Sequence, residues 1–252
     1  MKKSCCLILV LISLSLLLGG CERKDLAKDM IAFDKAYIPA LTLTGEKEVG
    51  PAKQALKILN EEWAAFVAKH GKEAEGNLEL KRVLGQVGQL IQSANRIMNT
   101  TGDLPQAHQA LESVRRAFFN FRKKSRIGYY LDNFNELQDT LGDIVWIERW
   151  RTPETLTDDE VKEIAETLKT AIGLCDRIQQ EEFDTELFGF SAEKSARLRV
   201  EMGLESDALK SLQQAIERKD KAQIFRTVSP LRPHSNAAYI LFGDFERVKK
   251  AD

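Results

Sequence analysis

The apolar positions of this 252-residue chain recur at helical spacing over most of its length. Between residues 80 and 98 they fall three and four residues apart, which places them on one face of a helix. The same period returns in residues 107–121, 127–144 and 161–178. No comparable run alternates apolar and polar residues, as the residues of a half-buried strand do. The pattern therefore predicts an all-α protein built from packed amphipathic helices.

The breaks between these periodic stretches are short and polar, as in residues 99–103. Two helix starts carry their own signal, because Asp103 with Gln106 and Thr157 with Glu160 have the spacing of a capping box. Short connections make successive helices antiparallel neighbours. We therefore predict up-and-down antiparallel helical bundles, arranged as two consecutive modules.

The start of the chain has the layout of a secretory signal. Lys2 and Lys3 precede an almost wholly apolar stretch from Cys5 to Leu18. This stretch is shorter than the roughly 20 apolar residues that a membrane-spanning helix needs. It therefore predicts a leader rather than a transmembrane segment.

Residues 18–21 read Leu-Gly-Gly-Cys and resemble the lipobox of bacterial lipoproteins. Gly19 departs from the Ala or Ser that this family more often carries. The resemblance implies a signal peptide over residues 1–20, cleavage between Gly20 and Cys21, and lipidation of Cys21 on its sulfur and its new amino group. The alternative is a cleaved leader that leaves Cys21 as a free thiol on a secreted soluble protein.

Lipidation would place the protein in the bacterial cell envelope. Three acyl chains, such as palmitate, would anchor it permanently, because each buried methylene contributes about 0.8 kcal/mol. Glu22 after the cysteine resembles lipoproteins that are sorted to the outer membrane, where the body of the protein would face the periplasm. The partners implied are the membrane, through the lipid on Cys21, and a protein of the envelope.

The remaining chain divides most naturally at residues 150–157, which include Pro153. This division predicts a first helical bundle over residues 49–150 and a second over residues 151–252. Residues 21–48 then form a lipidated tether and a first helix.

Two details of the first half follow from local signals. A helix is predicted from Asp25 to Tyr37, ending before Pro39, because proline lacks the N–H that a continuing helix needs. It could serve as a tether, or it could dock on the bundle with Met30, Ile31, Phe33 and Ala36 facing inward. The next helix is predicted to begin at Pro51 and to end at Gly71, with His70 in its last turn.

The net charge of the chain bears on whether it binds nucleic acid. Removing the leader takes away two of the 37 basic residues and none of the 38 acidic ones, which leaves a net charge of −3. Such a balance gives no general attraction to nucleic acid, and we expect no nucleic-acid partner.

Cys5 and Cys6 leave with the leader, so Cys175 has no partner for a disulfide if Cys21 carries lipid. Cys175 also lies on the apolar face of the helix predicted over residues 161–178, and it is predicted to pack in the core.

One constellation could bind a metal ion. His108 and Glu112 share a helix face, and Asp132 and Glu136 have the same spacing on the following helix. Histidine and carboxylates on facing helices are how bundles build metal sites. These four residues therefore define a candidate metal site, and the alternative is that they are ordinary solvated positions. Non-covalent haem is a further alternative, which would need a methionine opposite His108, such as Met30 or Met98.

A basic stretch at residues 114–126 could contact an anionic surface such as lipid headgroups. In the alternative interpretation, its cations offset the dipole at a helix end while its phenylalanines pack in the core. The candidate contact residues are Arg115, Arg116, Arg122, Lys123, Lys124 and Arg126.

No catalytic signature occurs in the sequence: Gly-x-Ser-x-Gly, His-Glu-x-x-His, Cys-x-x-Cys-His and paired Glu-x-x-His motifs are all missing. We therefore predict a non-enzymatic envelope lipoprotein that acts as an interaction or scaffolding module without a cofactor. The alternative is a periplasmic sensor or carrier that binds a metal ion or haem through His108.

Overall fold

The structure is a computed structural model that describes residues 25–46 and 48–250. The predicted signal peptide (1–20), its cleavage site at Gly20 and Cys21, and the lipidation site at Cys21 lie outside these residues. Helices and their connections make up the described part of the chain, which contains no strand. The prediction of an all-α bundle protein is confirmed.

The helices are numbered in chain order. They are α1 (25–45), α2 (Val49–Gly76), α3 (Leu78–Thr100), α4 (Leu104–Ser125), α5 (Leu131–Val145), α6 (Ile147–Trp150), α7 (Asp158–Gln180), α8 (Thr185–Phe188), α9 (Ala192–Glu217), α10 (Lys221–Val228), α11 (Pro233–Ile240) and α12 (Phe245–Lys249).

These helices group into two compact units. The first unit contains the described residues up to Gly128 together with residues 245–250, and the second contains Tyr129–Asp244. The boundary therefore lies at Gly128, whereas the sequence analysis placed it at residues 150–157. The reason is that α5, assigned to the first bundle, packs instead on α7 and α11 of the second unit.

In the first unit, α1 to α4 form an antiparallel up-and-down bundle. Helix α2 packs on α3 and α3 on α4, while α1 closes the ring between α2 and α4. Phe33 of α1 is the centre of this packing, because its ring meets those of Trp63, Phe66 and Phe118 at centroid distances of 5.9, 6.2 and 5.1 Å. The C-terminal helix α12 returns to this unit and packs on α2.

Helix α1 docks on the bundle. Met30, Ile31, Phe33 and Ala36 are all buried, as the docking alternative requires. The prediction that α1 ends before Pro39 is wrong, because the helix continues to residue 45. Burial explains the difference: residues 36–41 lie in the core, so tertiary packing outweighs the backbone hydrogen bond that proline cannot make.

The local signals at helix ends are mostly confirmed. The Asp103 side chain accepts a hydrogen bond from the backbone N–H of Gln106 at 3.0 Å, and Thr157 with Glu160 forms a complete capping box. Helix α2, however, continues past Gly71 to Gly76. A single glycine costs only about 1 kcal/mol within a helix, which the packing of the following turn can offset.

The second unit repeats the antiparallel plan with α5, α7, α9 and α11. The Tyr130 hydroxyl donates to the carbonyl oxygen of Ile178 at 2.8 Å, which joins the start of α5 to the end of α7. Helix α9 packs on α7, α10 and α11, and α11 packs on α5. Phe134, Phe183 and Phe242 belong to the aromatic core of this unit.

The docking of α1 predicts a large loss of stability when its central ring is removed. Phe33 is 2% exposed, and replacing a buried phenylalanine with alanine typically costs about 3–5 kcal/mol. We expect Phe33→Ala to lower the first unit's free energy of unfolding by this amount, measured by urea unfolding followed by circular dichroism. Lys28→Ala on the exposed side of α1 is the control and should change the free energy of unfolding by less than about 0.5 kcal/mol. Equal effects of the two variants would contradict the docked position of α1.

Candidate functional site

His108 joins two helices of the first unit. Its Nδ1 atom lies 2.9 Å from the carbonyl oxygen of Leu41 and 3.3 Å from the hydroxyl of Thr44. A carbonyl oxygen only accepts, so Nδ1 is the donor in this contact. The other ring nitrogen lies 3.9 Å from Glu112. The imidazole therefore holds the beginning of α4 against the end of α1.

The other two predicted metal ligands belong to the second unit. Asp132 accepts a hydrogen bond from the side-chain amide of Asn135 at 3.2 Å, and Glu136 lies 4.0 Å from the guanidinium of Arg177. No group of three or more His, Cys, Asp or Glu side chains is placed to hold a metal ion within the described ranges. His108, Glu112, Asp132 and Glu136 therefore do not form the metal-binding group that their spacing predicted.

The predicted basic contact surface is corrected in two positions. Arg115 and Arg122 are buried, with 6% and 3% of their surfaces exposed, because both face the inside of the bundle. Arg115 donates from Nε to Glu112 at 2.9 Å, and Nη1 of Arg122 lies 4.0 Å from the sulfur of Met30. These two cations lie within the unit and are not available to an external surface.

The other four cations of this stretch are exposed. Arg116 lies more than two turns before the end of α4, while Lys123, Lys124 and Arg126 lie at that end. Lys124 forms an ion pair with Glu79 of α3 at 2.7 Å. The end of α4 therefore lies beside the beginning of α3.

The same end of the bundle contains the beginning of α1 and the end of α2. Nε2 of His70 lies 2.8 Å from Oδ2 of Asp29, and the ammonium of Lys69 forms an ion pair with the same carboxylate at 2.7 Å. His70 is buried and also contacts Glu73 at 3.2 Å. Its predicted place in the last turn of a helix is wrong, since α2 continues beyond it. Its actual role is to join α2 to α1.

We call this surface the basic end of the first unit. It comprises the first five residues of α1, residues 69–76 of α2, Asn77, residues 78–82 of α3, and residues 123–126. Eight exposed cations and five acidic residues lie there, which gives three net positive charges. The cations are Lys28, Lys69, Lys72, Lys81, Arg82, Lys123, Lys124 and Arg126, and the acidic residues are Asp25, Asp29, Glu73, Glu75 and Glu79.

Leu78 is the apolar feature of the basic end. It is 78% exposed, although leucine gains free energy by leaving water. The position is fixed by the turn between α2 and α3, where the Asn77 side chain accepts a hydrogen bond from the backbone N–H of Leu80 at 3.1 Å. The basic end therefore presents an exposed leucine side chain as well as its cations.

The second unit contains a buried carboxyl group that was not predicted from the sequence. Glu205 is fully buried in α9, and one of its oxygens accepts a hydrogen bond from the backbone N–H of Ser235 at 2.9 Å. A signal for it existed, because residue 205 lies on the same helix face as Leu198, Met202 and Leu209. Burial raises the pKa of Glu205, and it also raises the pKa of the Cys175 thiol to about 11.

The prediction that Cys175 packs in the core is confirmed, since it is buried with its sulfur 3.7 Å from the carbonyl oxygen of Met202. A thiol of such high pKa is almost wholly protonated at neutral pH and is a poor nucleophile.

Comparisons of the chain with protein-family models, with curated proteins and with solved structures found no match. Among the helices of the described residues, none combines the length and the apolar character that crossing a membrane requires.

The buried Glu205 predicts a pH dependence of the second unit's stability. Because its folded-state pKa is raised, the folded chain holds the proton more tightly than the unfolded chain does. Stability should therefore fall as the pH rises from the ordinary glutamic acid range through the raised pKa. We expect Glu205→Gln to remove this loss and to be more stable than the original chain at neutral pH, because the neutral amide can still accept from Ser235.

Unfolding of the second unit in urea, followed from pH 4 to pH 8, measures this effect. Glu217→Gln makes the same substitution at an exposed position of α9 and should leave the pH profile unchanged. A Glu205→Gln profile that keeps the slope of the original chain would show that this carboxyl group is not its source.

Proposed function

We propose that the protein is a lipoprotein of the bacterial cell envelope whose helical units form a non-enzymatic scaffolding or interaction module. The observation that carries the proposal is the short distance along the chain between the lipobox-like cysteine and the docked helix. Cys21 precedes the start of α1 at residue 25 by only four residues. A chain spans at most about 3.6 Å per residue, so this connection reaches no farther than about 14 Å.

Such a short connection has a mechanical consequence. Helix α1 is part of the bundle core, where Phe33 and Tyr37 are buried and the Tyr37 hydroxyl donates to the carbonyl oxygen of Leu111 at 2.8 Å. A lipid on Cys21 would therefore hold the first unit itself at the membrane surface rather than at the end of a flexible tether. A bundle held in this way suits a protein that positions an envelope partner at a fixed distance from the membrane.

The use of the three histidines supports a structural role for the helices. His70 joins α2 to α1, and His108 joins α4 to α1. His234 of α11 lies 3.0 Å from the carboxylate of Glu201 in α9. Each imidazole is thus engaged in a contact between helices, and the buried Cys175 thiol offers no activated nucleophile.

Replacing the cysteine tests the lipidation on which the proposal depends. The full chain is expressed in a bacterial host, and its mass is measured in the membrane and soluble fractions. We expect the original chain in the membrane fraction, with the mass of residues 21–252 plus the whole lipid carried by the sulfur and the amino group of Cys21. Cys21→Ala should retain its leader and carry no lipid, because the cysteine is both the cleavage marker and the acceptor.

Cys175→Ala is the matched control, since it removes the other cysteine of the mature chain and should remain lipidated. A soluble chain cleaved after residue 20 without acyl mass would overturn the lipoprotein assignment and favour a secreted protein.

A further inference from the structure

We propose that the basic end of the first unit is a lipid-contact surface, which binds the headgroups of anionic phospholipids and places Leu78 among them. The proposal deepens the proposed function and rests on it for the identity of the membrane. Its first support is position, because α1 begins at this end of the bundle. The contacts of Asp29 with Lys69 and His70 show that the start of α1 lies beside the last two turns of α2.

The length of the chain before α1 brings this end to the membrane. A lipid on Cys21 would lie within about 14 Å of residue 25, which is the span of four extended residues. The opposite end of the bundle is farther away by the length of α1, whose 21 residues rise about 30 Å. The basic end is therefore the part of the first unit that a short anchor holds next to the lipid.

Of the two ends of the first unit, the basic end has the charge that matches an anionic surface. The basic end has three net positive charges, although the mature chain as a whole has a net charge of −3. The opposite end of the same unit, residues 42–54 and 96–107, contains three acidic and three basic residues and is neutral by sequence. Attraction to anionic headgroups acts over about one Debye length, roughly 8 Å at physiological salt, so only charges at the near end contribute.

The acidic residues of the basic end offset part of its charge through pairs within this surface, and three net positive charges remain. Asp29 forms an ion pair with Lys69, and Glu79 lies 3.2 Å from Arg82 and 2.7 Å from Lys124. Glu73 contacts His70. Lys72 and Lys81 are exposed six residues before and three residues after Leu78 in the chain, on either side of the turn that presents it. An exposed leucine on the same end of the bundle as these cations suits the boundary between headgroups and acyl chains, where long cationic side chains keep their charge in water.

The test measures binding of the unlipidated mature chain, Glu22–Asp252, to vesicles, so that it does not depend on the anchor. Co-sedimentation is compared for vesicles of pure phosphatidylcholine and vesicles with 40% phosphatidylglycerol. Each Lys or Arg near an anionic surface raises the partition coefficient about five-fold. We expect binding that requires phosphatidylglycerol, weakens in 0.5 M salt, and falls at least tenfold in the triple variant Lys72→Gln, Lys81→Gln, Lys123→Gln.

Two further variants test whether binding depends on the basic end or only on the total charge of the chain. The triple variant Lys53→Gln, Lys57→Gln, Arg96→Gln removes the same charge from exposed positions toward the opposite end and should retain binding within about twofold. Leu78→Ser changes an exposed side chain without disturbing the core and should weaken binding several-fold at unchanged charge.

Equal binding to both kinds of vesicle, equal losses in the two triple variants, or no binding to phosphatidylglycerol would overturn the lipid-contact proposal. So would a chain that dimerises through this end, seen as a dimer in sedimentation equilibrium that Leu78→Ser dissociates. The mass measurement on Cys21 is independent of these results, so a failure of lipidation and a failure of the lipid-contact surface are distinguishable.

Discussion

The packing of Phe33 against the rings of Trp63, Phe66 and Phe118 fixes α1 inside the first unit. Aromatic rings bury large apolar areas, and edge-to-face pairs such as Phe33 with Trp63 and Phe33 with Phe118 add about 0.5–1.5 kcal/mol each. The contact determines more than stability. Because α1 follows Cys21 after only four residues, its docking also determines which end of the bundle would lie at a membrane.

Polar contacts also fix the position of α1 in the bundle. His70 and His108 bond to groups at the two ends of α1, Asp29 near its start and Leu41 near its end, so the helix is held in register along its whole length. Exposed ion pairs such as Lys124 with Glu79 contribute little to stability, typically 0–1 kcal/mol. The proposed function depends instead on the net positive charge of the basic end, because a net charge at one end can orient the unit toward anionic lipid.

The elements that could be predicted from the sequence are those that local periodicity controls. Helices α3, α4, α5 and α7 follow from apolar spacing, and the N-terminal caps of α4 and α7 follow from Asp103 and Thr157. The ends of α1 and α2 could not be predicted, because Pro39 and Gly71 are local helix breakers whose cost is offset by tertiary packing. The boundary at Gly128 depends on which helices α5 contacts, and a sequence pattern does not contain that choice.

The same limit applies to the candidate sites. Spacing within α4 correctly identified the pair of His108 and Glu112, but the expected ligands Asp132 and Glu136 belong to the other unit. A run of cations in the sequence did not reveal that Arg115 and Arg122 turn inward. The exposure of Leu78 could not be predicted either, because it depends on the turn between α2 and α3 rather than on the apolar spacing.

The central claim is that the anchored protein stands with the basic end of its first unit at the membrane. The most direct measurement is the spin-label accessibility of the lipidated chain in phosphatidylglycerol vesicles, with labels at Leu78→Cys or, at the opposite end, at Thr101→Cys in a Cys175→Ala background. We predict that the label at residue 78 collides with oxygen dissolved in lipid and is shielded from a water-soluble nickel complex, while the label at residue 101 is fully open to the nickel complex. Equal access of the nickel complex to both labels would contradict the account.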